Sequence, residues 1–127
     1  MLAAIIFCAS LVAVDGDTVK CDGQNMRLLG MGIVNQHGID TPEIGSHAKC
    51  EKERKLALLA KRRLKSLIDG KTVRVEAKGV DAFKRPLVNI YLPDGREVGQ
   101  ILLREGTARE WRPGRKNDWC AEDGLGR

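Results

Sequence analysis

One stretch of this chain carries a helical period for more than a few turns, and its position limits the fold more than any other feature. From Ser46, a residue type that caps helices, to Leu67 or Ile68, the residues Leu56, Leu59, Ala60, Leu64, Leu67 and Ile68 recur at spacings of three, four and seven. Asp69-Gly70 then stops the helix. On both sides the pattern changes to short strands and turns. Before it, Ile5, Ile6, Phe7, Leu11, Val12 and Val14 predict a buried first strand that ends at an Asp15-Gly16 turn. Residues 18–21 and 26–29 predict two more strands, joined through Asp22-Gly23-Gln24-Asn25 into a three-stranded meander. Residues 30–45 have no period and read as a long irregular loop, with Pro42 barring a helix. After the helix, residues 72–76 and 87–92 alternate as strands, and residues 97–105 predict a short helix ended by Gly106. Residues 107–127 read as an irregular surface segment. Three strands, a long helix, two strands and a short helix match the element order of an OB-type barrel, an α+β architecture with a five-stranded β barrel.

A chain of 127 residues has room for one domain, 1–127, and not for a second one devoted to a cofactor. With 43% hydrophobic residues it can bury a core, and at 4% aromatic that core must be mainly aliphatic. Lys and Arg (22) exceed Asp and Glu (17) by five, which makes a polyanion the first partner to consider. The basic face of the long helix reads as a solvated surface, interleaved as it is with Glu51 and Glu53. The apolar run at residues 1–14 is too short to span a bilayer and has no basic residue before it, so it forms neither a membrane span nor a complete signal peptide. Cys8, Cys21, Cys50 and Cys120 lack zinc-ligand spacing. Two disulfides in an exporting compartment, with Cys8–Cys21 and Cys50–Cys120 as one scheme, and four reduced buried thiols are equal alternatives. His37 and His47 read as solvent-facing, and Gly30-Met31-Gly32 fails as a dinucleotide loop because Asn35 stands at the third glycine position.

The chemistry-bearing residues are acids in turns interleaved with arginines: Asp15-Gly16-Asp17-Thr18, Arg27, Asp40-Thr41-Pro42-Glu43, and Asp81 to Arg85. Carboxylates and a backbone carbonyl suit a hard cation such as Ca²⁺, a further carboxylate can take a proton from water, and arginines grip phosphate bidentately. In sequence order, D-G-D-T, R-L-L-G, I-D-T-P-E, the D-x-x-x-R loop and V-x-x-x-L-L-x-x-G-x-A resemble the staphylococcal nuclease-like (thermonuclease) family over about residues 11–108. The resemblance implies a Ca²⁺-dependent endonuclease, a phosphodiesterase acting on DNA and RNA and leaving 3′-phosphate ends. It further implies that Asp17, Asp40 and the Thr41 carbonyl hold the metal, and that Glu43 acts as general base. Arg27 and Arg85 grip the scissile phosphate, while Asp15 and Asp81 support the site.

Three departures from the family pattern shape the expectations. Family members usually run from the strand arginine into I-D-x-P-E without interruption, whereas residues 31–38 intervene here and read as a looped-out insertion. Phe83-Lys84 replaces the usual Tyr-Gly before the loop arginine. The flanking tyrosines have no clean counterpart; Trp111 and Trp119 read first as anchors of the tail on the barrel, and Trp111 is the candidate to take over stacking. Phe83, Lys84 and Trp111 are therefore the expected substrate contacts, with single-stranded or unpaired DNA and RNA as partners. The protein is expected to be monomeric and secreted, periplasmic or envelope-associated. Two competing expectations are a catalytically silent OB module that binds single-stranded nucleic acid or a protein partner, and a disulfide-stapled structural module.

Overall fold

The structure is a computed structural model that describes residues 4–121. Residues 1–3 of the apolar run and 122–127 of the expected surface segment lie outside the described residues. Eight short strands are described: β1 (Ala4–Ile6), β2 (Leu11–Ala13), β3 (Thr18–Cys21), β4 (Gln24–Leu28), β5 (Gly38–Asp40), β6 (Arg74–Val80), β7 (Pro86–Tyr91) and β8 (Arg109–Trp111). Two helices, α1 (Glu51–Ile68) and α2 (Val98–Glu105), accompany them. Six strands form a curled sheet in the order β1-β6-β7-β4-β3-β2, while β5 and β8 pair separately. β4 and β7 run parallel, joining the meander to the β6–β7 hairpin that follows α1. This is the OB-like α+β architecture expected from the element order.

Met26, Leu28, Leu64, Ile90 and Leu102 are fully buried, so β4, β7 and both helices meet in one aliphatic core. In α1 the inward residues are Ala57, Ala60, Leu64, Leu67 and Ile68, together with Glu53. Leu59 departs from the expected apolar face and is exposed.

Four local readings are corrected. The first apolar run is two strands rather than one buried strand. The Cys8–Cys21 disulfide and the Asp22 carboxylate, which accepts from Ala9 N (3.1 Å) and Ser10 N (2.7 Å), bend the chain between β1 and β2. Residues Ile5, Phe7 and Val12 are left exposed. Helix α1 starts after Cys50 rather than Ser46, because a 3₁₀ turn at Gly45–His47 intervenes and the Cys50 sulfur accepts from Glu53 N at 3.3 Å. The loop at residues 30–45 is not irregular throughout, since β5 lies within it. The segment after Gly106 is likewise ordered into β8, whose backbone pairs with β5. The extra strands raise the count above five without changing the barrel order. The second disulfide, Cys50–Cys120, ties the start of α1 to the tail, so the described residues contain no free cysteine.

Candidate active site

Local backbone geometry builds one wall of the site. Register pairs Thr18 with Arg27 across β3 and β4, which places Asp17 and Arg27 side by side at the end of the hairpin. Arg27 Nη2 lies 3.3 Å from Asp17 Oδ2, and Thr18 Oγ1 donates to Asp17 Oδ1 at 3.2 Å. Asp17 is 5% exposed, so its charge needs these partners. Gly16 allows the acidic turn to approach the opposite wall. A Cβ there would stand 2.7 Å from Ala60 Cβ and 2.9 Å from Thr41 Cβ, so only glycine lets this turn rest against α1 and Thr41. Asp15 Oδ1 accepts the Asp17 N–H at 3.0 Å and fixes the turn.

Residues distant in sequence build the other wall. Asp40 lies at the end of β5, and its Oδ2 accepts from Asn117 Nδ2 (3.2 Å) and Trp119 Nε1 (3.3 Å). Trp119 is buried, and the Arg109 guanidinium stacks 4.0 Å over its ring. Thr41 is buried beside Asp40. The Glu43 backbone is held by Glu53, whose two oxygens accept from Glu43 N and Lys49 N at 2.9 Å each. Arg27 crosses between the walls by donating to the Ile39 carbonyl at 3.1 Å.

A cavity of about 370 Å³ opens between these walls and is bordered by Arg27, Asp40, Glu43, Asp81, Phe83 and Arg85, with Trp111 at its side. Asp81 organises the D-x-x-x-R turn. Its Oδ1 accepts from Phe83 N (2.8 Å) and Arg85 N (2.9 Å), and its Oδ2 accepts from Arg85 Nε (2.7 Å). The remaining guanidinium N–H groups stay available to an anion in the cavity. Phe83 is 81% exposed, with the Arg85 guanidinium 5.7 Å over its ring. Lys84 is exposed at the turn tip, with φ of 64°, and does not border the cavity. A neighbouring cavity of about 340 Å³ shares Asp40, Glu43 and Trp111 and is rimmed by Lys49, Arg115 and Lys116.

The electrostatics are those of crowded acids. Burial, followed by the Asp17 charge, pushes Asp15 up to about 7 from its usual 3.8. Burial also raises Asp40, opposed by the Asn117 hydrogen bond and reinforced by Asp17. Glu43 is raised by burial and then by the charges of Asp17 and Asp40. A divalent cation would relieve this repulsion, and the donors at hand are all oxygen, the chemistry that suits Ca²⁺. Among the described residues no three His, Cys, Asp or Glu form a ligand cluster, so two carboxylates and the Thr41 carbonyl would leave the remaining positions to water.

Sequence reasoning missed Glu53, Asn117 and Trp119 as supports of the site. Glu53 carried a signal, since it sits at the third position of the helix, where a carboxylate reaches back to capping N–H groups. Asn117 and Trp119 are separated from Asp40 by 77 and 79 residues and carried no such signal.

Curled strands with two helices and a cleft that sets carboxylates beside guanidinium groups define a small OB-like domain suited to anionic ligands. The chain belongs to the staphylococcal nuclease homologue family, whose model matches residues 33–122. The match contains Asp40, Thr41, Glu43, Asp81 and Arg85, while Asp15, Asp17 and Arg27 precede it. Two relatives, each described as an uncharacterized endonuclease, come from Escherichia coli O157:H7 and Escherichia coli. Each is 33% identical over 94 residues, covering 74% of this chain and 54% of the relative. The chain therefore spans about half the length of the curated relatives it matches.

Proposed function

We propose that the domain formed by residues 1–127 is a Ca²⁺-dependent endonuclease that hydrolyses phosphodiester bonds in DNA and RNA. The observation that carries this reading is that Arg27, Arg85, Asp40 and Glu43 face one cavity. Family membership and two relatives described as endonucleases support it.

Asp17, Asp40 and the Thr41 carbonyl would hold Ca²⁺, which when bound supplies positive charge against the phosphate oxygens. Glu43, partly desolvated at the rim of the cavity, takes the proton of the attacking water. Its raised proton affinity brings it nearer to neutral pH, where a general base works best. Arg85, oriented by Asp81, and Arg27 stabilise the charge that grows on the phosphate as the new bond forms. Asp15 is a supporting acid rather than a ligand. Phe83 and Trp111 offer aromatic faces to bases of unpaired strands, and Lys84 adds charge outside the cavity.

Two disulfides support an oxidising location, secreted or periplasmic, and no helix among the described residues is long and apolar enough to cross a membrane. The protein acts as a monomer.

Digestion of denatured DNA and of RNA with Ca²⁺ tests the reading. The expected result is cleavage that EGTA abolishes and that Glu43→Ala, Arg27→Ala or Arg85→Ala lowers by roughly 10²–10³-fold. Salt-sensitive oligonucleotide binding without cleavage at any Ca²⁺ concentration would instead identify a silent binding module.

A further inference from the structure

The loop at residues 31–38 carries no charged residue, yet it borders the cavity lined by Arg27 and Arg85. It is also fastened on several sides. At its start, Met31 N donates to the buried Asn89 Oδ1 at 2.8 Å, and Gln100 Nε2 donates to the Gly30 carbonyl at 2.6 Å. In its middle, Ile33 and His37 close a tight bridge, with Ile33 N donating to His37 O at 2.9 Å. Its far side rests on β6, where a Cβ on Gly79 would lie 3.0 Å from Val34 Cγ2. At its end, Gly38 pairs with Trp111. A segment held in this way is a wall rather than a tether.

Ile33, Asn35 and His37 line the cavity from this wall, and Phe83 and Trp111 line it as well. An amide, an imidazole and an aliphatic side chain give nothing to a phosphate that Arg27 and Arg85 do not give better. They do suit the other part of a nucleotide. A base presents donors and acceptors at its edge and a π-face to aromatic rings, and it can enter such a recess only when it is not paired. We infer that the loop at residues 31–38 is one side of a seat for a single unpaired nucleobase, with Asn35 and His37 meeting its polar edge and Phe83 and Trp111 its face. This rests on the nuclease reading for the position of the phosphate beside the base.

The test is fluorescence anisotropy in Ca²⁺ with two phosphorothioate-linked octanucleotides, one of thymidines and one abasic throughout. The wild-type protein is expected to bind the thymidine strand about tenfold more tightly. A variant carrying Ile33→Ala, Asn35→Gly and His37→Ala should lose most of that preference and keep only the part that stacking on Phe83 and Trp111 supplies, with its abasic affinity unchanged. Glycine at position 35 tolerates the backbone φ of 67° found there. If the triple variant does not fold, Asn35→Gly and His37→Ala singly should each remove part of the preference. Equal binding of both strands by wild type, binding of neither, or a preference that these substitutions leave undiminished overturns the inference. Cleavage of ordinary DNA is scored separately. A base preference without cleavage would uphold the seat and defeat the nuclease reading, and cleavage without a base preference would do the reverse.

Discussion

The two walls of the cleft are held by different physics. Asp17 immediately precedes β3 and Arg27 lies on the neighbouring antiparallel β4, so the β3–β4 register and the turn contacts around Asp17 bring them together. Asp40, at the end of β5, and Glu43, on the loop that follows, are held in place by side chains from elsewhere: Asn117 and Trp119 from the tail, and Glu53 from α1. The Cys50–Cys120 disulfide joins those two supports, since Cys50 caps the helix at Glu53 and Cys120 follows Trp119. A hairpin wall is set by local contacts that form early and cheaply, whereas the loop wall depends on long-range contacts that must close a large part of the chain first. Damage to the first should stay local. Damage to the second should spread to Asp40 and Glu43.

The disulfides give the largest test of that difference. Chain-entropy arguments give about 4 kcal/mol for a bridge of sequence separation 70 and about 3 kcal/mol for one of separation 13. Cys50→Ser with Cys120→Ser should therefore lower unfolding free energy somewhat more than Cys8→Ser with Cys21→Ser, as read by urea titration. The sharper contrast is in activity. At a temperature where both variants are folded, loss of the Cys50–Cys120 bridge should reduce cleavage about tenfold or more, and loss of Cys8–Cys21 should leave it nearly unchanged. Equal activities would show that the tail holds Asp40 without covalent help.

Side-chain supports come next. Trp119→Phe with Asn117→Ala removes both donors to Asp40 Oδ2 while keeping an aromatic ring under Arg109. A carboxylate displaced by about 1 Å can cost a hundredfold in rate, so a fall of roughly 30- to 100-fold in kcat is expected. On the hairpin wall, Thr18→Val removes the hydroxyl that donates to Asp17, yet the strand register and Arg27 remain, and the expected loss is under about fivefold. Glu53→Gln should fall between these two. The amide keeps one acceptor where the carboxylate served two N–H groups, at a cost of about 1–3 kcal/mol in stability and a moderate loss of kcat. A Thr18→Val effect as large as that of the tail pair would erase the distinction between the walls.

The same contrast explains what could be read from the sequence. The hairpin, its Asp-Gly turn, the long helix and the C-terminal αL glycine at position 106 follow from local rules, and so does the barrel order. The acids and arginines of the cleft were legible because motif residues keep their types and order. The break between β1 and β2 was not, because it is set by Asp22 and Cys21 across a turn rather than by the apolar run itself. Nor was the helix start at Cys50, where a sulfur takes the place of the serine hydroxyl that local propensity favours. The ordering of the tail into β8 and its grip on Asp40 depend on contacts about 70 to 80 residues long, which no window of sequence contains. His37 illustrates the same limit. A lone loop histidine reads as solvent-facing, and only the folded loop shows it half-buried at the cavity.

The smallest effect concerns the crowded acids within the hairpin wall. Burial, then the Asp17 charge, raises Asp15 to about 7, well above the 3.8 it has when unfolded. Between about pH 4 and 7 the folded protein therefore holds a proton that the unfolded chain has released. Stability must fall as pH rises through that window and level off above it. Asp40 and Glu43, also raised by burial, add to the same slope. Asp15→Asn removes one ionisation and keeps an acceptor for the Asp17 N–H; the rise from 3.8 to about 7 corresponds to about 4 kcal/mol, which solvent at the exposed part of Asp15 screens to about 1–2 kcal/mol, and by that amount the variant in EGTA should lose less stability than wild type between pH 4 and 8. Adding Ca²⁺ should flatten the wild-type profile at the upper end, since a ligand bound only by the folded state stabilises it by mass action. Thr18→Val should leave the slope as it is, because a hydroxyl adds no charge. Parallel urea titrations of the three proteins across pH would separate these outcomes. An Asp15→Asn profile as steep as that of wild type would place the excess charge wholly on Asp40 and Glu43, in the wall that the tail holds rather than the one the hairpin builds.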